Sequence, residues 1–276
     1  MRAGNSRWLF DAVYLLLLTL TAGPAALLVG VLWSELSTHT SSPARFLAVP
    51  ALGFTFVTAV LLCGWALRLL VGRLEPGEGD FPKSALARRW SLHFALGRAL
   101  AFGAWRELIF STSSLRWLFV RAMGGRAAFD MNTAASISLP DACLLDLGPG
   151  CMVAATCILG GHIVESGKIR VGRIRIGENA QLHSDVRVGP GVSIGEDSIV
   201  GPDSRIAGNF EMGARSQLGH RCTVAPGVRV GDDVVVGHQV VLDQGVVLEA
   251  GASVPSGVTV PKGTRVPEGT RFRSSP

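Results

Sequence analysis

Residues 176–194 read Ile-Gly-Glu-Asn-Ala-Gln-Leu-His-Ser-Asp-Val-Arg-Val-Gly-Pro-Gly-Val-Ser-Ile, and their spacing decides the fold. Steps of six from Ile176 land on Leu182, Val188, Ile194, Val200, Ile206, Met212, Leu218, Val224, Val230, Val236, Leu242, Leu248, Val254, Val260 and Val266. All sixteen positions are aliphatic. Two residues before most of them lies another small or branched residue, as at Ala180, Val186, Val192, Ser198, Ser204, Ser216 and Cys222. The residue after is most often glycine, as at Gly177, Gly189, Gly195, Gly201, Gly213, Gly219, Gly231 and Gly237. A six-residue period fits neither an amphipathic helix nor a plain strand. Alternation puts residues i−2 and i on one face, here apolar, and the neighbouring glycine is expected to supply the φ values of a tight corner. Short strands joined by corners and repeated in register predict a parallel β-helix with a stacked apolar column inside.

The pattern resembles the left-handed β-helix, in which three hexads form one triangular coil of about 18 residues, so sixteen hexads imply about five coils. The expected fold class is mainly β: a left-handed parallel β-helix of hexapeptide repeats, preceded by two transmembrane helices and an amphipathic helical segment.

Only 17% of the 276 residues are charged, 48% are hydrophobic, and the net charge is +5. This composition points to a chain partly in a membrane. One tyrosine and no interleaving of basic and aromatic residues in the repeat argue against nucleic acid as a partner. Cys63, Cys143, Cys151, Cys157 and Cys222 include no C-x-x-C pair and read as small core residues of a reducing compartment,.

Residues 12–33 and 46–67 carry no charge, and each run can span the roughly 30 Å of a bilayer core,. A cleaved signal peptide would have a shorter apolar run than the first, and the second span would still anchor the chain. Arg2 and Arg7 precede the first span, while Arg68, Arg73, Lys83, Arg88 and Arg89 follow the second. The positive-inside rule therefore places both ends, and the β-helix, in the cytosol. Expected divisions are a two-span hairpin at 1–73, a linker and amphipathic helices at 74–126, the repeat domain at 127–267 and a polar tail at 268–276. Residues 74–82 read as a turn-rich linker. From Ala85 to about Met123 a helical stretch carries a Trp90, Phe94, Leu100, Phe102, Trp105, Leu108, Ile109, Trp117 and Leu118 face, with arginines at 88, 89, 98, 106, 116, 121 and 126. It reads either as interfacial helices or as a cap on the open end of the β-helix.

Leu147, Val153 and Leu159 keep the six-residue spacing and predict a first, rougher coil. From Leu159 to Ile176 there are then 17 residues, which reads as one short of a full coil. An interruption in so regular a repeat is where function is expected. His162 lies inside it, with Glu165 three residues on as a carboxylate able to orient the imidazole. His220 and His238 lie 18 residues apart and are expected to stack at one corner of adjacent coils, as a second-choice site pair or as surface residues,. His183 is one residue out of line with them, and His39 and His93 are poorly placed. A zinc enzyme on this fold, of the γ-class carbonic anhydrase kind, would need three convergent imidazoles, and the spacing supplies no such set, so no metal is expected. No Walker A motif, dinucleotide-binding glycine motif or G-x-S-x-G elbow is present.

Hexapeptide β-helices include many coenzyme A-dependent acyltransferases in which a histidine deprotonates the acceptor. That resemblance implies acyl-CoA, most simply acetyl-CoA, as co-substrate. Gly245, Ala250 and Gly251 in the late coils offer small residues for a pantetheine groove, with Lys262 and Arg265 near the phosphates. A narrower resemblance rests on an ordered series: Gly-Asp-Phe-Pro at 79–82, Leu-Arg-Trp-Leu-Phe-Val-Arg-Ala-Met-Gly-Gly-Arg at 115–126, Ser-Leu-Pro-Asp-Ala-Cys-Leu-Leu-Asp-Leu-Gly at 138–148, Gly-His-Ile-Val-Glu at 161–165 and Val-Gly-Arg-Ile-Arg-Ile-Gly-Glu-Asn-Ala at 171–180. It is similar to the membrane-attached acyltransferase-like domains at the C-terminus of polylysine-synthetase-type non-ribosomal peptide synthetases and to their stand-alone bacterial relatives. The resemblance covers roughly 75–265, and its Gly-His-x-x-Glu element falls on His162 and Glu165. No adenylation or carrier domain accompanies it here, and the single copy implies a homotrimer. The implied activity is a cytosol-facing acyltransferase of the bacterial inner membrane, moving an acyl group from coenzyme A or a carrier thioester to an amine or hydroxyl, with a lipid-linked glycan or peptide as candidate acceptor. The competing expectation is a non-catalytic trimeric scaffold at the membrane.

Overall fold

The computed structural model describes residues 5–273. Arg2, one of the two basic residues ahead of the first apolar run, lies outside them. Helices α1 (Asn5–His39) and α2 (Ser42–Val71) form an antiparallel pair,. The stretches Phe10–His39 and Pro43–Val71 are long and apolar enough to cross a membrane,. Leu27, Phe46, Leu47 and Leu70 are 71–84% exposed on their outer faces.

The helical stretch after them is three helices: α3 (Ala85–Leu100), α4 (Gly103–Ser111) and α5 (Ser113–Met123). Polar residues punctuate it, with the Ser84 hydroxyl accepting from Ala87 N–H at the start of α3 and Thr112 accepting from Leu115 N–H at the start of α5,. Trp90, Leu100 and Ile109 are buried, and Trp105, Leu108, Trp117 and Leu118 pack half-buried on the same core. Arg116 is only 5% exposed and donates to the Thr133 hydroxyl at 2.8 Å, to Ser113 Oγ and to the Phe110 carbonyl. Trp117 donates its indole N–H to the Ala127 carbonyl at 3.1 Å. These contacts make the helices a cap on the first coil, and Arg116 is inside that cap, not on a lipid-facing side.

Beyond Arg126 the chain winds into a parallel β-helix with faces of eight, seven and six strands. Leu182 pairs with Val200, Val188 with Ile206 and Ile194 with Met212, each 18 residues on, so one coil is three hexads. Residues at i and i−2 point inward as read, and each buried Val, Leu or Ile contributes about 1.5–3 kcal/mol,. Ser198, Ser204 and Ser216 occupy inward positions without penalty, since each hydroxyl donates to a carbonyl of the next coil and accepts an N–H from it,.

The glycines that follow the aliphatic positions have a different role from the one expected. Positive φ falls two residues later, often on residues that tolerate the left-handed region, as at Asn179, Asp185, Asp197, Asp203 and Asn209,. Gly177 and Gly201 are required by coil-on-coil approach instead. A Cβ on Gly201 would lie 2.6 Å from the carbonyl carbon of Gly219, and one on Gly177 would lie 2.7 Å from Glu196 N.

The break after Leu159 is also not a missing residue. Leu159 belongs to the six-stranded face and Ile176 to the next, eight-stranded one, a step that elsewhere takes six residues and here takes 17. The added chain is an antiparallel hairpin, His162–Glu165 paired with Lys168–Val171 about a tight turn with positive φ at Ser166 and Gly167,. The segment read as a linker supplies a third strand, Gly77–Asp80, antiparallel to Lys168–Val171. Glu78 clamps it through 3.0 Å contacts to Lys168 Nζ and Arg170 Nε.

Candidate active site

One corner of the triangular coil carries both departures from the repeat. In the first coil the step from Leu139 to Leu147 takes eight residues, and the extra length forms a 3₁₀ turn at Ala142–Leu144 that begins at Asp141. In the next coil the same corner extends into the hairpin that begins at His162. Two irregular corners stacked one above the other bring Asp141 and His162 together.

Asp141 is 2% exposed, and both of its oxygens are used. Oδ2 lies 2.6 Å from His162 Nδ1, and Oδ1 accepts from Trp90 Nε1–H at 2.9 Å. Two N–H donors are what lets a carboxylate stay buried. A carboxylate only accepts, so Nδ1 carries the imidazole proton and the Nε2 lone pair is free, as a general base requires. Among the described residues, Nε2 has no hydrogen-bond partner, and the His162 side chain is 22% exposed. The ring is also held from the side, with its centroid 4.4 Å from that of Trp90 and 6.1 Å from that of Phe94, both on α3. Gly161 permits the approach, because a Cβ there would lie 2.7 Å from Leu144 Cδ1 and 3.1 Å from Asp141 Cβ.

Glu165 does not orient His162. It pairs across from Lys168 and lines the same groove as His162, but no hydrogen bond joins the two side chains, and Nδ1 is already taken by Asp141. Asp141 holds the position that the sequence reading gave to Glu165. The sequence signal for it is a lone acid in the otherwise apolar run Leu139–Leu145.

His162 lines a groove of about 460 Å³ that runs along the six-stranded face. Val188, Ile206 and Val224 belong to the strands it crosses, and Gly189 and Gly208 to its corner edge. Arg187 and Arg205 stand outward on it one coil apart, in register, with no acidic partner among the described residues. Neither arginine was singled out from sequence. Of the expected coenzyme A residues, Gly245 and Lys262 lie at the same corner but beyond Pro226, where the groove ends. Ala250 and Gly251 lie at a different corner, and Arg265 is tied to Glu249. The structure does not bring these five to His162.

His220 and His238 do stack, with centroids 4.1 Å apart and planes at 16°. They occupy the corner between the seven- and six-stranded faces, away from His162. His238 Nδ1 accepts from His220 N–H at 3.2 Å, so the neutral His238 ring carries its proton on Nε2 and offers no lone pair outward,. Among the described residues, no group of three His, Cys, Asp or Glu side chains forms a metal-ligand set.

The bacterial transferase hexapeptide family (six repeats) matches residues 173–208, a minor part of the chain. No curated protein matches it. Among solved structures, the UDP-N-acetylglucosamine O-acyltransferase of Moraxella catarrhalis is 21% identical, with 53% of this chain and 62% of that one covered and a TM-score of 0.35. This chain therefore spans less than two thirds of that enzyme's length. A hexapeptide transferase family protein of Anaplasma phagocytophilum is 16% identical over 53% and 72% of the two chains, with a TM-score of 0.33. Perosamine N-acetyltransferase of Caulobacter crescentus, solved with coenzyme A and GDP-perosamine, is 16% identical over 58% and 60%, with a TM-score of 0.18.

Proposed function

We propose that the chain is an acyltransferase anchored in the bacterial inner membrane by α1 and α2, with its β-helix in the cytosol and His162 as its general base. The observation that carries this reading is the hydrogen-bonded chain from Trp90 through buried Asp141 to His162, which leaves Nε2 unpartnered in a groove. Nε2 removes the proton from an amine or hydroxyl as that atom bonds to the thioester carbonyl carbon. The carbon–sulfur bond then breaks, and the thiol of coenzyme A or a carrier leaves with the proton from His162. Asp141 holds the imidazole in the reactive tautomer throughout. Arg187 and Arg205 are placed to meet the phosphates of the donor, and the apolar groove between them and His162 suits its pantetheine arm,.

Anchoring fits an acceptor that is itself at the membrane, such as a lipid-linked glycan or peptide precursor. Three chains around a threefold axis are the proposed assembly. The test is thiol release from acetyl-CoA or a loaded carrier protein by the full chain in detergent or nanodiscs, across a panel of amine and hydroxyl acceptors. Release that disappears in His162→Ala supports the assignment, and unchanged release in that variant overturns it. Silence across the whole panel favours the trimeric scaffold.

A further inference from the structure

A second cavity, about 530 Å³, lies where α2 ends against the capping helices and the first coils. Six arginines line it: Arg68 and Arg73 from the end of α2 and the segment after it, Arg121 from the end of α5, Arg126 from the first strand after it, and Arg173 and Arg175 from the return of the hairpin to the coil. The only carboxylate among its lining residues is Glu75. Arg126 has a distant partner in Asp146 at 3.8 Å, but the other five form no salt bridge among the described residues. Guanidinium groups gathered with so little opposing charge repel one another, and they neither deprotonate nor escape from a cavity wall.

The wall also contains polar atoms with nothing to bind. Arg68 Nε is buried without a hydrogen-bond partner, its guanidinium packed against Gly124, where a Cβ would collide with it. His93 lines the same cavity and is 2% exposed, and neither ring nitrogen has a hydrogen bond of good geometry, the Gly72 backbone being close enough only for a weak one. Buried polar groups left without partners are costly, so a native protein keeps them for a reason. An anion with several acceptor oxygens would satisfy both the charge and the geometry.

We infer that this cavity binds a phosphate or pyrophosphate group through its arginines. Its position suggests the source. Trp65 and Arg68 stand on the last turns of the second apolar helix, at the level where a lipid headgroup would lie if that helix spans a bilayer,. A lipid phosphate would enter there from the membrane side, whereas a soluble phosphate compound would enter from the aqueous side. Phosphate binding itself depends on neither the membrane reading nor acyl transfer. Only the lipid source rests on the membrane reading.

The experiment uses the full chain in a neutral detergent. Inorganic pyrophosphate is titrated by calorimetry at 50 and 300 mM salt, and dihexanoyl phosphatidate and dihexanoyl phosphatidylcholine are then used as competitors. Salt-sensitive binding that weakens at least tenfold in both Arg173→Gln/Arg175→Gln and Arg121→Gln is expected. The two variants alter different walls, and an unchanged melting temperature without ligand shows that each is folded. Competition by phosphatidate but not phosphatidylcholine identifies a lipid phosphate, and its absence beside intact pyrophosphate binding identifies a soluble one. His162→Ala should bind as wild type, so the catalytic reading can fail without this one. No pyrophosphate binding, or binding that both arginine variants leave unchanged, overturns the inference.

Discussion

Asp141 holds His162 from a corner one coil below it, 21 residues earlier in the chain, with 2.6 Å between Oδ2 and Nδ1. The carboxylate is buried and the imidazole reaches the groove, so one group is fixed and the other is available. Asp141→Asn keeps the shape and can still accept from Trp90, but its amide turns a donor toward Nδ1 and favours the wrong tautomer. The expected fall in kcat/KM is about 10²–10⁴-fold. Glu165→Gln, which alters the groove wall but not the Nδ1 hydrogen bond, should lower it by less than about tenfold,. Steady-state kinetics on the two variants checks this, and the reverse ranking would return the orienting role to Glu165.

The column was legible because its physics is local. Each coil needs the same inward residue every six positions, so Ile176 to Val266 announce the β-helix without long-range information. The site was legible only in half. His162 stands out by interrupting the repeat, but its partner is reached through stacking of two irregular corners, and no spacing along the chain encodes that. Counting 17 residues against a coil of 18 hid the hairpin, since a step of six lengthened by eleven gives the same number. The glycines misled for a related reason. Gly201 looks like a corner residue in one coil, and its need for space appears only when Gly219 is stacked upon it.

That stacking predicts a stability difference. Gly201→Ala places a Cβ against main-chain atoms that cannot move aside, and destabilisation of about 1–3 kcal/mol is expected,. Gly245→Ala meets open space and pays only for positive φ, about 1 kcal/mol,. Thermal unfolding in detergent ranks the two, and a larger effect at Gly245 would contradict the role given to Gly201.

Burial, and secondarily the charge of Arg68, lowers the affinity of His93 for a proton, with the Gly72 backbone opposing slightly. It shares its cavity with Glu75, Cys143 and the six arginines at 68, 73, 121, 126, 173 and 175, of which Arg68 acts on it most directly. The unfolded chain therefore binds more protons than the folded one as pH falls below 6.5, the ordinary histidine value,. Stability should be intact above 6.5 and decline as pH drops from there toward the lower folded value, by at most about 1.4 kcal/mol per pH unit. His93→Leu removes this contribution. Melting temperatures at pH 7, 6 and 5 should fall less in the variant than in the wild type, and equal slopes would show that His93 is not responsible.

The groove makes a prediction of a different kind, because Arg187 and Arg205 sit away from the reacting atoms. They stand outward on adjacent strands of one face, in register, where successive coils are about 4.8 Å apart,. Two guanidiniums at that separation can share the phosphates of one acyl donor, which is binding felt equally in ground and transition states. Loss of either contact should therefore raise KM for the donor and spare kcat. Arg187→Gln and Arg205→Gln are each expected to raise KM for acetyl-CoA about tenfold, and the double variant by less than the product, since both arginines would hold the same group. Lys262→Gln, beyond the end of the groove, should leave KM unchanged. If KM instead responds to Lys262 and not to the two arginines, the donor lies along the late coils and the groove beside His162 belongs to the acceptor.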